Sequence, residues 1–243
     1  FASRRLRKFL LEMATGTGKT LLCAALIRLF LITRNAERVL ALETTTLTLL
    51  SLAKLAESKD TDTGNHLERI REYVFLLTNQ IINSPGFKAS VPPRFAELMY
   101  QTSPLHDIGK VGIPDYVLLK PGSLNDEEWR VMKQHSEIGA QTLDAVLKQY
   151  PFAEFLRIAR DIAWSHHERW DGKGYPSGLK GQEIPIGARI ISISDIYQAL
   201  TSDRPYRKAY PKEEAIKIIK KGADAQFDPV IVKAFLKILE KKK

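Results

Sequence analysis

All five histidines of this chain lie between residues 66 and 167, in a part of the sequence that also carries acidic residues. Imidazole nitrogens and carboxylate oxygens are the ligands that hold first-row divalent metals in proteins. The pattern therefore predicts a polynuclear metal centre that hydrolyses a phosphate ester. In chain order, its candidate ligands are Asp62, His66, His106, Asp107, His135, His166, His167 and Asp195.

The spacing of these residues indicates how they could share metals. Asp62 and His66 are four residues apart, so on a helix they would face the same side. Asp107 is a carboxylate that can bridge two cations, while neighbouring histidines bind one each. His166 and His167 would diverge by about 100° on a helix and reach different metals. A set with nitrogen and oxygen ligands but no thiolate suits iron or manganese.

Apolar periodicity predicts that helices position the candidate ligands. Residues 67–81 carry apolar side chains at a spacing near 3.6, and Asn125 with Glu128 predicts a reciprocally capped start for the helix that carries His135. That helix should end before Pro151. The glycines between residues 172 and 181 predict a long ordered loop. Further helices are predicted over about 94–106 and 152–168, and after Pro185, Pro211 and Asp228-Pro229. The predicted fold class is all-α.

The first 43 residues differ in sequence pattern from the helical part that follows. Residues 13–20 read Met-Ala-Thr-Gly-Thr-Gly-Lys-Thr, which resembles a phosphate-binding loop at the start of a superfamily 2 helicase or restriction-enzyme motor domain. The candidate phosphate ligands are Gly18, Lys19 and Thr20, and Arg38–Leu42 is predicted as a buried strand. About 43 residues cannot supply several βαβ units of roughly 30 residues each. We therefore expect residues 1–43 to be a short α/β-like remnant without ATPase activity, and residues 44–243 to form the helical domain.

The segments His106-Asp107-Ile108-Gly109-Lys110 and Gly174-Tyr175-Pro176 resemble the HD-GYP family of cyclic di-GMP phosphodiesterases, over about 200 residues. The resemblance implies an HD-domain helical bundle whose metal ligands are His66, His106, Asp107, His135, His166, His167 and Asp195. Asp62 stands where some members carry a Glu that helps hold a third metal. The resemblance also implies that Lys110 lies near the scissile phosphate, and that Tyr175, Arg204 and Arg207 line the nucleotide site.

The function expected from this resemblance is hydrolysis of cyclic di-GMP to pGpG, GMP or both. Two or three divalent metals, iron or manganese, would provide the attacking hydroxide, and Lys110 and Asp107 would be catalytic residues. Arg204 and Arg207 could grip the second phosphate or a guanine edge by paired hydrogen bonds. Three alternatives stay open: a silent cyclic di-GMP binding or scaffold domain, an HD phosphohydrolase for another nucleotide, and a nucleic-acid-dependent ATPase.

The amino-acid composition excludes some classes of protein and leaves others open. Cys23 is the one cysteine, which excludes a disulfide framework and a cysteine-based zinc site. A net charge of +9 fits either an anionic ligand or a solubilising surface. No apolar segment is long enough to span a membrane, so we expect a cytoplasmic location. Nucleic acid is not an expected partner, whereas GGDEF-domain proteins and a second copy of the chain are compatible with the resemblance.

Overall fold

The computed structural model of the chain describes residues 35–57 (side chains from Thr46 onward), 66–82, 87, 91–203 and 207–241. Over these ranges the secondary structure is helical and contains no β-sheet, as predicted. The helices are α1 (Asn35–Glu57), α2 (His66–Ile82), α3 (Phe95–Thr102), α4 (Asp115–Leu118), α5 (Asp126–Leu147), α6 (Glu154–Ser165), α7 (Ile186–Leu200), α8 (Lys212–Lys221) and α9 (Pro229–Lys241). Two 3₁₀ segments are Ser103–Gly112 and Gly181–Glu183.

The chain divides into two compact units, residues 1–48 and 49–243. The predicted strand Arg38–Leu42 is wrong, because these residues belong to helix α1. Ala, Leu, Glu and Arg are strong helix formers, and Val39 is the one β-branched residue between positions 35 and 43. The phosphate-loop candidates Gly18, Lys19 and Thr20 lie outside the described residues.

Two groups of buried apolar side chains hold the second unit together. The larger group joins α2, α3, α7, α8 and α9 with Ile162 of α6. The apolar side chains predicted to share one face of α2 are all buried, with Ile70, Val74 and Leu77 fully inaccessible. The smaller group joins residues of α1, α5 and α6 with Leu105 of the first 3₁₀ segment. Together these contacts fix the helices from which the candidate ligands project.

The predicted start and end of α5 and the predicted start of α9 are confirmed. The Asn125 side chain accepts a hydrogen bond from the Glu128 amide at 2.9 Å, and the Glu128 carboxylate accepts one from the Asn125 amide at 2.8 Å. This capping box starts α5, which ends at Leu147, before Pro151. Asp228 accepts a hydrogen bond from the Val230 amide at 2.8 Å and so caps the start of α9. Within the described ranges, no helix is long and apolar enough to cross a membrane.

Candidate metal centre and adjoining pocket

Seven of the predicted ligands converge in the second unit as two neighbouring groups. One group contains Asp107, His135, His166 and His167, and the other contains His66, His106 and Asp195. Within each group, one nitrogen or oxygen atom per residue lies within 4.8 Å of the others. The eighth candidate, Asp62, lies outside the described residues.

Asp107 lies between the two groups. Its Oδ2 atom is 3.3 Å from His106 Nε2 in one group, and its Oδ1 atom is 3.4 Å from His135 Nε2 and 3.5 Å from His166 Nε2 in the other. His66 Nε2 lies 3.8 Å from Asp195 Oδ1. A single carboxylate therefore faces both groups with different oxygens, which is the placement that a bridging ligand needs.

The backbone fixes which ring nitrogen each of three histidines presents to the site. The Nδ1 atoms face backbone carbonyls: His106 faces Ser103 at 2.9 Å, His135 faces Met132 at 2.7 Å, and His166 faces Ile162 and Ala163 at 3.1 Å. A carbonyl oxygen can only accept a hydrogen bond, so each Nδ1 carries a proton. The Nε2 atoms are thereby left to point inward, and this arrangement is common among metal-binding histidines.

The nitrogen and oxygen atoms that face into the site do not satisfy one another's hydrogen-bonding capacity. His106 Nε2 and Asp107 Oδ1 are buried and make no hydrogen bond, and His135 Nε2 lies only 3.4 Å from His166 Nε2. Buried polar atoms without partners are costly. A cation among these lone pairs would remove that cost, so the residues present fit divalent metal ions.

The pKa shifts of the candidate ligands also favour the binding of divalent metal ions. Burial lowers the pKa of His135 to about 4 and, with the charge of neighbouring His166, holds the pKa of His167 well below its usual value. Burial opposes a charged Asp107, but Lys110 and His106 hold the carboxyl pKa well below its usual range. Burial also opposes a charged His106, yet the Asp107 and Asp195 carboxylates raise its pKa to about 9. A metal at His106 would displace a proton, whereas His135 and His167 are neutral and ready to bind.

A close backbone approach sets the position of Asp107. A Cβ atom at Gly109 would lie 2.0 Å from the carbonyl oxygen of His135 and 2.5 Å from the amide nitrogen of Gly139. Only glycine allows the first 3₁₀ segment to pack this tightly on α5. The segment thereby brings Asp107 opposite His135, and it places Lys110 Nζ 2.9 Å from Asp107 Oδ2.

His166 and His167 do not diverge as predicted. Helix α6 ends at Ser165, three residues earlier than expected, so the two histidines lie in the turn that follows it. Their ring centroids are 4.0 Å apart at an interplanar angle of 44°. The 100° separation of neighbouring helical positions therefore does not apply, and both side chains belong to the same ligand group.

The glycine-rich loop, residues 172–181, packs directly on this turn. A Cβ atom at Gly174 would lie 2.6 Å from the carbonyl oxygen of His167 and 2.5 Å from Glu168 Cα. This contact leads the chain into Tyr175, whose ring stacks on that of His167 with centroids 4.7 Å apart and an interplanar angle of 22°. Tyr175 is thereby placed against a candidate metal ligand.

Glu168 is a positioning residue that the sequence reasoning missed. Its buried carboxylate accepts hydrogen bonds from the amides of Ser177 at 2.7 Å and of Gly178 and Leu179 at 3.1 Å. The interaction ties the glycine-rich loop to the turn that carries His166 and His167. The one sequence signal was an acidic residue directly after two histidines, and spacing does not reveal that its partners are backbone amides.

A pocket of about 560 Å³ opens beside the metal centre. His166, His167 and Tyr175 line its inner end, and Trp129 and Arg130 of α5 line another part of it. The Trp129 side chain contributes to this lining with 47% of its surface exposed, so it does not anchor the core. Trp164 does anchor the glycine-rich loop, through a hydrogen bond of 2.8 Å to Ser177 Oγ.

The structure does not bring Arg207 to this pocket. Its guanidinium donates hydrogen bonds to the carbonyls of Ala199 at 2.6 Å and Leu200 at 3.3 Å, at the end of α7, and lies over the ring of Tyr210. Arg207 is not among the pocket-lining residues of the described ranges. Arg204 lies outside those ranges. The role of both arginines in substrate binding stays a prediction.

Two family models match stretches of the chain. The model of the HD domain family matches residues 49–231. A model described as the res subunit of type III restriction enzymes matches residues 2–72, in line with the helicase-like resemblance of the first residues.

Several curated proteins are similar to the HD-domain stretch. A cyclic di-GMP phosphodiesterase of Vibrio cholerae is 47% identical over 193 residues, which cover 79% of this chain and 39% of that protein. A cyclic di-GMP phosphodiesterase of Thermotoga maritima is 41% identical over 187 residues, which cover 77% of this chain and 47% of that protein. The chain therefore spans less than half the length of these relatives.

A solved structure shares the fold. Bd1817, an HDG"Y"P protein from Bdellovibrio bacteriovorus, superposes with a TM-score of 0.56 at 19% identity, covering 98% of this chain and 79% of that one. At this identity the likeness concerns the fold alone, and it agrees with the helical architecture described above.

Proposed function

This chain belongs to the HD-domain family, and we propose that it is a metal-dependent phosphodiesterase that hydrolyses cyclic di-GMP to pGpG, GMP or both. The observation that carries the proposal is the placement of Asp107 between two groups of histidine and carboxylate ligands. Relatives named cyclic di-GMP phosphodiesterases, at 37–47% identity, support the choice of substrate.

The two ligand groups would each hold one divalent metal, with Asp107 shared between them. The nitrogen and oxygen donors favour iron or manganese. A third ion would need Asp62. When bound, the metals would supply Lewis acidity toward a phosphate oxygen and a water molecule that ionises near neutral pH.

Side chains beside the metal groups would bind the phosphodiester and offset its charge. The Lys110 ammonium, 2.9 Å from Asp107 Oδ2, places a positive charge at the edge of the centre, where it would stabilise negative charge that builds up on phosphate oxygens. Burial raises the pKa of Tyr175, so its hydroxyl keeps a proton at neutral pH and can donate a hydrogen bond. The stack of Tyr175 on His167 holds that donor next to the metal ligands.

A second candidate substrate is 3′3′-cGAMP. Three relatives at 33–36% identity are named 3′3′-cGAMP-specific phosphodiesterases. Cyclic di-GMP is preferred because the relatives that carry its name reach higher identity, up to 47%. GGDEF-domain proteins and a second copy of the chain stay expected partners. We propose no role for residues 1–43 in the hydrolysis.

A substrate panel tests the proposal. The iron-loaded and manganese-loaded protein is incubated anaerobically with cyclic di-GMP, 3′3′-cGAMP and linear pGpG, and products are separated by chromatography. We expect the highest kcat/KM with cyclic di-GMP, and loss of turnover in the His106→Ala variant. Preference for 3′3′-cGAMP would favour the second candidate, and binding of cyclic di-GMP without hydrolysis would identify a receptor.

A further inference from the structure

One face of α5 forms a continuous wall of the pocket. Asp126, Trp129, Arg130 and Lys133 all line it, and their spacing of three, four and seven residues places them on one side of the helix. The stripe extends about 10 Å along the axis, at roughly 1.5 Å per residue. Its inner end is Lys133, whose Nζ atom lies 5.2 Å from the centre of the Tyr175 ring. The wall therefore leads outward from the metal centre.

The inner half of this stripe carries two positive charges, those of Arg130 and Lys133. Within the described ranges, neither Arg130 nor Lys133 forms an ion pair with a carboxylate. The Glu128 carboxylate, in the same turn, is already engaged by Lys120 and by the Asn125 amide. Asp126 stands at the outer end of the stripe, so the net positive potential lies toward the metals. Two cations beside a metal centre favour a second anionic group of the ligand.

The outer half of the stripe offers a flat aromatic surface. Trp129 lines the pocket with 47% of its surface exposed, although burial of a tryptophan is normally favourable. Purine bases stack on such rings, and each stacked base contributes roughly 1–3 kcal/mol by alanine substitution. A cation pair followed along the helix by an exposed indole matches the order phosphate, then base, in a nucleotide.

The pocket offers cationic partners for a second phosphate in addition to the two arginines that the sequence predicted. Arg207 was expected to grip it, but the Arg207 guanidinium is occupied by carbonyl oxygens at the end of α7. Arg130 and Lys133 occupy the pocket itself and can meet a phosphate there. An arginine can bind two phosphate oxygens at once, while the lysine acts as a point charge.

We propose that Trp129, Arg130 and Lys133 form the subsite for the half of a cyclic dinucleotide that is not being cleaved. Arg130 and Lys133 bind the second phosphate, and Trp129 stacks on the attached purine. The inference rests on the proposed function, since it assigns a place to the second nucleotide of the same substrate. It makes α5 a determinant of substrate size: the middle of the helix contributes His135 to the metals, and the preceding turns select a dinucleotide over a simple phosphodiester.

The test compares two substrates on the metal-loaded full chain. Cyclic di-GMP reaches the whole stripe, whereas bis(p-nitrophenyl) phosphate presents one phosphodiester and has no second phosphate or purine. For Trp129→Ala and for the double variant Arg130→Ala/Lys133→Ala, we expect the ratio of kcat/KM for cyclic di-GMP to kcat/KM for bis(p-nitrophenyl) phosphate to fall about 10-fold or more. The loss should appear mainly as a higher KM for cyclic di-GMP. Trp129→Phe should recover part of it, because phenylalanine keeps an aromatic face.

Two matched controls lie at and beyond the C-terminal end of α5. Lys148→Ala removes an exposed positive charge after the far end of α5, and Phe152→Ala removes an aromatic ring that is 93% exposed and does not line the pocket. Both should keep the wild-type ratio. The subsite is refuted if the Trp129 and Arg130/Lys133 variants also keep that ratio, or if both substrates lose equally. Wild-type turnover of bis(p-nitrophenyl) phosphate alone, with none of cyclic di-GMP, would overturn the proposed function instead.

Discussion

The contact between Gly109 and α5 gives a sharp prediction about the metal centre. In Gly109→Ala the new Cβ atom would start 2.0 Å from the His135 carbonyl oxygen, and such contacts essentially never fall below 3.0 Å. The 3₁₀ segment and α5 must therefore separate by about 1 Å, the difference between these distances. The two atoms that the new Cβ would meet, the His135 carbonyl oxygen and the Gly139 amide nitrogen, belong to the backbone. No side-chain rotation therefore relieves the clash.

The separation acts directly on the ligands. Asp107 lies two residues before Gly109, and its Oδ1 atom is 3.4 Å from His135 Nε2 across the same contact. A misplacement of about 1 Å can reduce turnover by roughly 100-fold, and overpacking typically destabilises a protein by roughly 1–3 kcal/mol. We expect Gly109→Ala to lower both kcat on cyclic di-GMP and the number of metals bound per chain.

The matched control is Gly112→Ala in the same segment. Its Cβ atom would lie 3.0 Å from Cγ2 of Ile138, so a side-chain shift of a few tenths of an ångström accommodates it, without a clash against backbone. Metal content by mass spectrometry, kcat and urea denaturation are measured on both variants. Wild-type metal content and kcat in Gly109→Ala would refute the argument that this contact positions Asp107, and equal losses in both variants would show that the segment responds to any added methyl group.

Three further predictions concern the ligands, the loop and the helix that support the site. Asp107→Ala should abolish hydrolysis and lower metal content, because both ligand groups lose a shared carboxylate; normal turnover would remove the proposed centre. Glu168→Ala should lower the free energy of unfolding by about 3 kcal/mol, at about 1 kcal/mol for each of three hydrogen bonds. Glu168→Gln should lose less stability, because Oε1 accepts two of the three hydrogen bonds. The control is Glu183→Ala, which removes a single hydrogen bond at the surface. Equal stability of all three variants in urea would contradict this prediction. Asn125→Ala should cost about 1 kcal/mol by removing the α5 cap, read as a lower melting temperature than that of Gln134→Ala in the middle of the helix; identical melting would show that the cap contributes nothing.

Local signals in the sequence were sufficient for the helical framework. The Asn125–Glu128 capping box, the α5 end before Pro151 and the α9 start at Asp228 follow from chemistry within a few residues, and the structure confirms them. The strand at Arg38–Leu42 was wrong for a related reason: a short apolar run reads equally well as strand or helix. In this chain the run lies inside one helix that extends from Asn35 to Glu57.

Features that depend on long-range contacts were not readable from the sequence. The sequence named His166 and His167 as ligands, but their shared group follows from the early end of α6. Glu168 bonds amides nine to eleven residues away, and Arg207 turns to carbonyls seven and eight residues earlier. Trp129 lines a pocket only because the turn after α6 and the glycine-rich loop fold back opposite α5. Spacing along one helix predicts which residues share a face of that helix. The tertiary structure determines which other elements that face contacts.

The most direct test is turnover of cyclic di-GMP by the anaerobic protein loaded with iron or manganese, with metal content measured on the same sample. We expect conversion to pGpG or GMP at two or three metals per chain, as the proposed function requires. Full metal occupancy without conversion would contradict it.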